Sequence, residues 1–162
     1  MSFRVSLSLF LILVVAILRV QAQLLKGDFE LKNVGYPTQA LTVIPSGNPV
    51  GWLSDDPQFP QSSRTWTVLR SPPDESGNTW YYIQHLGSQK FLSVSPAYKL
   101  ILEDKPFNWV IVDVDSGCYR IHYPPSRSAD VELKGGENGA AIQLGDFKRL
   151  PPQLWNFNKV GN

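Results

Sequence analysis

Arg64-Thr65-Trp66-Thr67-Val68, Phe107-Asn108-Trp109-Val110-Ile111 and Gln153-Leu154-Trp155-Asn156-Phe157 are three copies of one pattern. A polar or bulky residue comes first, then tryptophan, then alternating apolar positions. Each copy reads as a short strand with the tryptophan and the residue two further on facing the same way. The copies lie roughly forty to fifty residues apart, the spacing of a repeated supersecondary unit. Equivalent tryptophans predict equivalent strands upstream of each, in the same order.

Those strands are present. In Asp28-Phe29-Glu30-Leu31-Lys32-Asn33, Phe29, Leu31 and Asn33 share a face, and turn chemistry follows at Gly35-Tyr36-Pro37. Residues 40–44 and 50–53 make the second and third strands of the first unit, around Pro45-Ser46-Gly47-Asn48-Pro49. The second unit repeats the order with strands at 80–85, 91–94, 100–102 and 109–112. The third opens after Asp115-Ser116-Gly117, where Tyr119 and Ile121 take the places of Phe29 and Leu31. It continues with strands at 131–133, 142–144 and 155–157. In this alignment Val50/Trp52, Leu100/Leu102 and Ile142/Leu144 correspond, as do Val43, Val94 and Leu133. No window carries a sustained, capped helical period.

Twelve short strands in three groups of four predict an all-β chain with the β-trefoil arrangement. One four-stranded unit has an apolar face and open edges that it cannot bury alone. Three units around a pseudo-threefold axis close six strands into a barrel, and the other six form hairpins capping one end. A β-sandwich is the alternative for short strands at regular spacing.

The first 22 residues are read as a secretory leader. Arg4 is its positive end, residues 7–18 are apolar except Ser8, and Val20-Gln21-Ala22 supplies small residues for cleavage. Arg19 stops the apolar run short of the roughly twenty residues that a span needs. The remaining residues, 23–162, form one domain large enough for a substantial core.

Losing Arg4 and Arg19 leaves thirteen basic against fourteen acidic residues. That near-neutral balance argues against the concentrated positive surface needed for nucleic acid or an anionic membrane. The expected product is a secreted, extracellular monomer. Cys118 has no partner within the chain, so the core and not a disulfide must hold the fold. It reads as a small buried hydrophobe, with an intermolecular disulfide as the alternative. The chain contains no Asn-x-Ser/Thr acceptor.

Catalytic chemistry finds little to use. The two histidines, His85 and His122, fall on the first strands of different units, and alternation turns His122 toward solvent. No nucleophile elbow, zinc-protease or phosphate-loop motif occurs, and no cofactor motif either. Asp113 and Asp115 lack the further ligands of a calcium loop. The expectation is therefore a binding protein and not an enzyme, acting through loops on a rigid barrel.

Pro45-Ser46-Gly47-Asn48-Pro49 is bracketed by prolines, Arg127 follows the diproline Pro124-Pro125, and Arg70 precedes Pro72-Pro73. A stiff exposed loop suits a substrate-like protease inhibitor, because preorganisation lowers the entropy lost on docking.

Residues 29–43, with their order of strand, Asn33, Tyr36-Pro37, Gln39 and Leu41-Thr42, resemble the opening of fungal β-trefoil serine-protease inhibitors of the cospin type. Gly117-Cys118-Tyr119-Arg120-Ile121 and the closing tryptophan strand fit the same resemblance. It implies a serine-type endopeptidase as partner and the loop from Pro45 to Pro49 as the protease-binding segment. That loop holds no arginine or lysine, which leaves Asn48 for the specificity pocket, or Arg127 or Arg70 from other loops. A second resemblance points to a different class. Gln153-Leu154-Trp155 matches the Gln-x-Trp signature of ricin B-type lectins, and Asp130 with Gln143 echoes their sugar-site pattern in the third unit. This alternative makes Asp130, Gln143 and Trp155 the sugar-binding residues and glycans the partner. Trp52 and Tyr98 are further aromatic platforms, Trp52 reading more naturally as core.

Overall fold

Period-two alternation of apolar and polar residues builds almost every element of the chain. The computed structural model describes residues 25–75, 78–115, 117–125 and 129–161. The leader at 1–22 and Arg127 lie outside the described residues. The strands are β1 (Gly27–Asn33), β2 (Gln39–Val43), β3 (Pro49–Leu53), β4 (Thr65–Arg70), β5 (Tyr81–His85) and β6 (Phe91–Val94). They continue with β7 (Leu100–Glu103), β8 (Val110–Asp115), β9 (Cys118–His122), β10 (Ala129–Leu133), β11 (Ala140–Asp146) and β12 (Trp155–Lys159). Two single-turn 3-10 helices, Gln61–Ser63 and Pro151–Gln153, lead into β4 and β12.

Six strands close a ring. β1 pairs with β4, β4 with β5, β8 with β9, β9 with β12 and β12 with β1, all antiparallel. The bridge Tyr81↔Trp109 joins β5 to the start of β8. Closure gives each barrel strand a neighbour on both sides, the β5–β8 seam through that single bridge, which reduces the edge exposure of a single unit. The hairpins β2–β3, β6–β7 and β10–β11 cap one end. They also touch one another, through Ala140↔Gly51 and through Lys99↔Gln143.

The threefold repeat is carried by register. Phe29 faces Trp66, Tyr81 faces Trp109, and Tyr119 faces Trp155 across neighbouring barrel strands. All three indoles are fully buried. Each donates its N–H to a backbone carbonyl of its unit's second strand: Leu41 at 2.8 Å, Leu92 at 2.9 Å and Val131 at 3.1 Å. A buried indole N–H needs an acceptor, and here it ties barrel wall to hairpin in the same way three times.

The third strand of unit one differs from the alignment drawn on sequence. Leu41 pairs with Gly51 and Val43 with Pro49, while Leu92 pairs with Leu102 and Val131 with Leu144. The counterparts of Leu100/Leu102 and Ile142/Leu144 are therefore Pro49/Gly51 and not Val50/Trp52. A one-residue slip reverses the faces of a strand. Trp52 consequently lies on the outer side, half-buried, with its ring edge-on to Phe59 and its indole N–H donated to Asp56 at 2.9 Å. A glycine fits at 51 without disturbance, because a Cβ there would sit 2.5 Å from Cδ1 of Leu133 and force that side chain to move.

Candidate functional site

The residues expected to act were spread over several loops, and the structure separates them. The segment from Pro45 to Pro49 closes into a tight turn. Gly47 N–H donates to Ile44 O at 2.8 Å, Ile44 N–H to Asn48 O at 3.2 Å, and the Asn48 amide to the Ser46 hydroxyl at 3.1 Å. Gly47 takes the left-handed backbone, φ +83°. Pro49 is buried as the first residue of β3, so the rigid bracket ends inside the fold. A substrate-like loop is extended across several residues, and this one is a compact turn. Arg70 ends β4 on the side of the barrel away from the hairpins, with Nη2 donating to Thr79 Oγ1 at 3.1 Å.

The trio Asp130, Gln143 and Trp155 does not converge on an open surface. Trp155 is core. Asp130 is completely buried: its Oδ1 accepts from Arg120 Nε at 3.3 Å and Nη2 at 3.1 Å, and His122 Nδ1 lies 3.0 Å away. The Arg120 guanidinium also stacks on Phe147, 3.9 Å from the ring centroid. His122, expected in solvent, is drawn in by this carboxylate and is half-buried. Gln153 of the Gln-x-Trp triplet is buried as well. Its Oε1 accepts the Lys148 N–H at 2.8 Å, and its Nε2 donates to Asp146 O at 2.6 Å and Glu132 Oε2 at 3.1 Å. The triplet therefore staples the loop before β12 and offers no group to a ligand.

Cys118 is half-buried, with Sγ 3.4 Å from Asn156 Oδ1. His85 is buried at the end of β5, where Asn33 stands at the end of β1. Both accept backbone N–H groups of the following turn: Ser88 N donates to His85 Nδ1, and Gly35 and Tyr36 N donate to Asn33 Oδ1. Burial lowers the imidazole pKa below its ordinary value, and the nearby Ser63 and Ser62 carbonyls pull it weakly the other way. Among the described residues no group of three His, Cys, Asp or Glu is placed to hold a metal.

Gln143 belongs to a different constellation. A cleft of about 550 Å³ opens between the β6–β7 turn, the end of β11 and the segment after β9. Tyr98, Tyr123, Gln143 and Asp146 supply its aromatic and polar walls, with Pro125 and Gly145 between them. The side chains of Tyr98, Gln143 and Asp146 make no hydrogen bond among the described residues, so all three are available.

Tyr98 is the unusual member. Its turn is closed as in unit one: Tyr98 N–H donates to Ser95 O and Ser95 N–H to Lys99 O, each at 2.9 Å. It thus occupies the place of Gly47. Its φ is +60°, in the left-handed region that costs a bulky L residue about 1–2 kcal/mol. The backbone is clamped there by a third bond, from Leu144 N–H to Tyr98 O at 2.9 Å. The strained side chain is 59% exposed and forms no aromatic pair among the described residues. Gln89 and Arg149 share this left-handed backbone, at φ +60° and +57°; what sets Tyr98 apart is that its strained position carries an exposed aromatic ring beside the cleft.

Sequence reasoning named Tyr98 and Gln143 and missed Tyr123 and Asp146. The available signal was the superposition of Pro45-Ser46-Gly47-Asn48 on Pro96-Ala97-Tyr98-Lys99, which sets tyrosine where glycine is easy.

No protein-family model matches the chain, and no curated protein matches it in sequence. Solved structures do match in fold. A designed threefold-symmetric protein, ThreeFoil, superposes with TM-score 0.68 at 16% identity, over 83% of this chain and 100% of that one. The ricin B-like lectin of Macrolepiota procera, solved in complex with lactose, gives 0.67 at 18% identity, over 83% and 97%. The Rhizoctonia solani agglutinin gives 0.69 at 17% identity, over 83% and 96%. At these identities the likeness establishes the β-trefoil fold, with ricin B-like lectins prominent among the neighbours.

Proposed function

We propose that this chain is a carbohydrate-binding β-trefoil that grips sugar in the cleft between Tyr98 and the end of β11. The observation carrying this reading is Tyr98 itself: an exposed ring, held in strained backbone, across from a free amide and a free carboxylate. A pyranose presents an apolar C–H face and a rim of hydroxyls. An aromatic ring takes the first, and an amide and a carboxylate take the second as donor and acceptors. Among the described residues the only charged side chain lining the cleft is Asp146. A neutral glycan satisfies the aromatic, amide and carboxylate groups named here, and it is the ligand class the test uses. The lectins among the structural neighbours support the same class.

Protein inhibition of a serine protease is less well supported. The comparisons offer no protease partner, and the segment from Pro45 to Pro49 is a closed turn without a cationic side chain. The leader read at 1–22 would carry the binding activity outside the cell, and no chemistry on the bound sugar is required of it.

A glycan array probed with the mature protein tests the proposal. Neutral oligosaccharides should bind, and Tyr98→Ala should lose them while its circular dichroism matches the parent. An array without signal, beside inhibition of a trypsin-, chymotrypsin- or subtilisin-like enzyme, would reverse the ranking.

A further inference from the structure

Next to the cleft lies a second depression, of about 360 Å³, lined by Trp80, Pro106, Phe107, Asn108, Pro124 and Pro125. Pro125 belongs to both walls. The two are also joined by a ring stack: Tyr123, which lines the cleft, lies on Phe107, which lines the depression. Their centroids are 5.8 Å apart and their planes 3° from parallel. The two sites are thus adjacent, sharing Pro125 and divided by the Tyr123–Phe107 pair.

The depression has the same chemistry as the cleft. Trp80 offers a half-exposed indole, and its N–H donated to Asp74 Oδ2 at 3.1 Å fixes the ring in one orientation. A ring already immobilised loses little rotamer entropy when a ligand stacks on it. Asn108 is exposed, and its amide makes no hydrogen bond among the described residues. Aromatic face, amide and proline walls recur in the second site, with no charged lining residue among the described residues.

We infer that the ligand is an oligosaccharide, with one sugar in the Tyr98 cleft and a following sugar of the same chain against Trp80 and Asn108. This rests on the carbohydrate-binding reading and adds to it a requirement for chain length. Two adjacent sites act as linked modules: the second contact is intramolecular once the first is made, so affinity multiplies along a chain that spans both. A monosaccharide can fill either site and gains nothing from the other.

The test is a titration of the mature protein with neutral mono-, di-, tri- and tetrasaccharides of one hexose or N-acetylhexosamine series, the series being the one with the strongest array signal. Calorimetry gives the dissociation constants, and indole fluorescence gives a local readout at Trp80. The expected result is at least about a ten-fold tightening from monosaccharide to tetrasaccharide, which is about 1.4 kcal/mol. A change in emission should accompany the longer ligands and vanish in Trp80→Phe. In Asn108→Ala and Trp80→Ala the ratio of monosaccharide to tetrasaccharide dissociation constant should fall toward one. Asn108 is exposed and unbonded, so that variant tests the idea even where Trp80→Ala folds poorly. Equal affinity across the series, or a length dependence untouched by both substitutions, overturns this inference and leaves sugar binding standing. An array and titrations without any binding overturn both.

Discussion

Replacing Tyr98 by glycine separates a side chain kept for binding from one kept for the fold, because the two readings predict opposite signs. The present φ of +60° costs a tyrosine about 1–2 kcal/mol, and glycine removes that cost. Glycine gives back about 0.5–1 kcal/mol through the greater freedom of the unfolded chain. The ring is 59% exposed and closes no hydrogen bond, so little packing is lost with it. The net expectation is a gain between roughly zero and 1.5 kcal/mol, or up to about 6 °C in Tm for a domain of this size. Thermal and urea unfolding should show a midpoint at or above the parent's with an unchanged m-value. The same variant should lose glycan affinity by about ten-fold or more, the pattern of stability exchanged for function. A fall in Tm of more than about 3 °C would mean that the ring packs after all, and the strain argument would fail. Unchanged glycan binding would remove Tyr98 from the site.

Two further outcomes follow from the fold. Gly51→Ala should cost about 1–3 kcal/mol, since the new methyl would meet Leu133 Cδ1 at 2.5 Å, whereas Leu133→Ala should cost about 2–5 kcal/mol. The double variant should lose at least about 1 kcal/mol less than the sum, because the methyl then occupies vacated space; additive losses in urea melts would refute the contact. Stability should also depend on the protonation of His85, whose imidazole is neutral in the fold with its pKa lowered by burial. Unfolding restores the ordinary value of about 6.5, so the unfolded state takes up the proton first. The stability tied to this group is complete above about pH 6.5 and is lost as the pH falls through the lowered folded value. His85→Asn, the residue that fills the equivalent place at 33, should flatten Tm against pH in that window; an identical slope in parent and variant would reject the assignment.

The three tryptophan strands, and the period-two strands ahead of each, determined the β-trefoil by themselves. Alternation sets which face of a strand is buried, a threefold repeat of such strands favours a closed barrel over a sandwich, and both are local properties of the chain. The second-strand equivalence of Val43, Val94 and Leu133 was legible for the same reason. Where a proline opened the third strand of unit one, alternation alone misread its register by one residue. Only pairing with β2 decided that Gly51 faces the core and that Trp52 turns away from it.

Tertiary structure alone decided the site. Burial of Asp130 depends on Arg120 and His122 from the neighbouring strand β9, and no spacing along the chain reports that enclosure. The cleft draws Tyr98 from the second unit and Tyr123, Gln143 and Asp146 from the third. Sequence could name an aromatic and an amide, but whether they face one another is settled by how two hairpins meet across the pseudo-threefold axis. Whether a ring stands in relaxed or left-handed backbone is likewise a property of the closed turn and its clamp to Leu144. Side-chain periodicity is written locally, whereas a binding surface is built from distant segments, and it exists only once the barrel has closed.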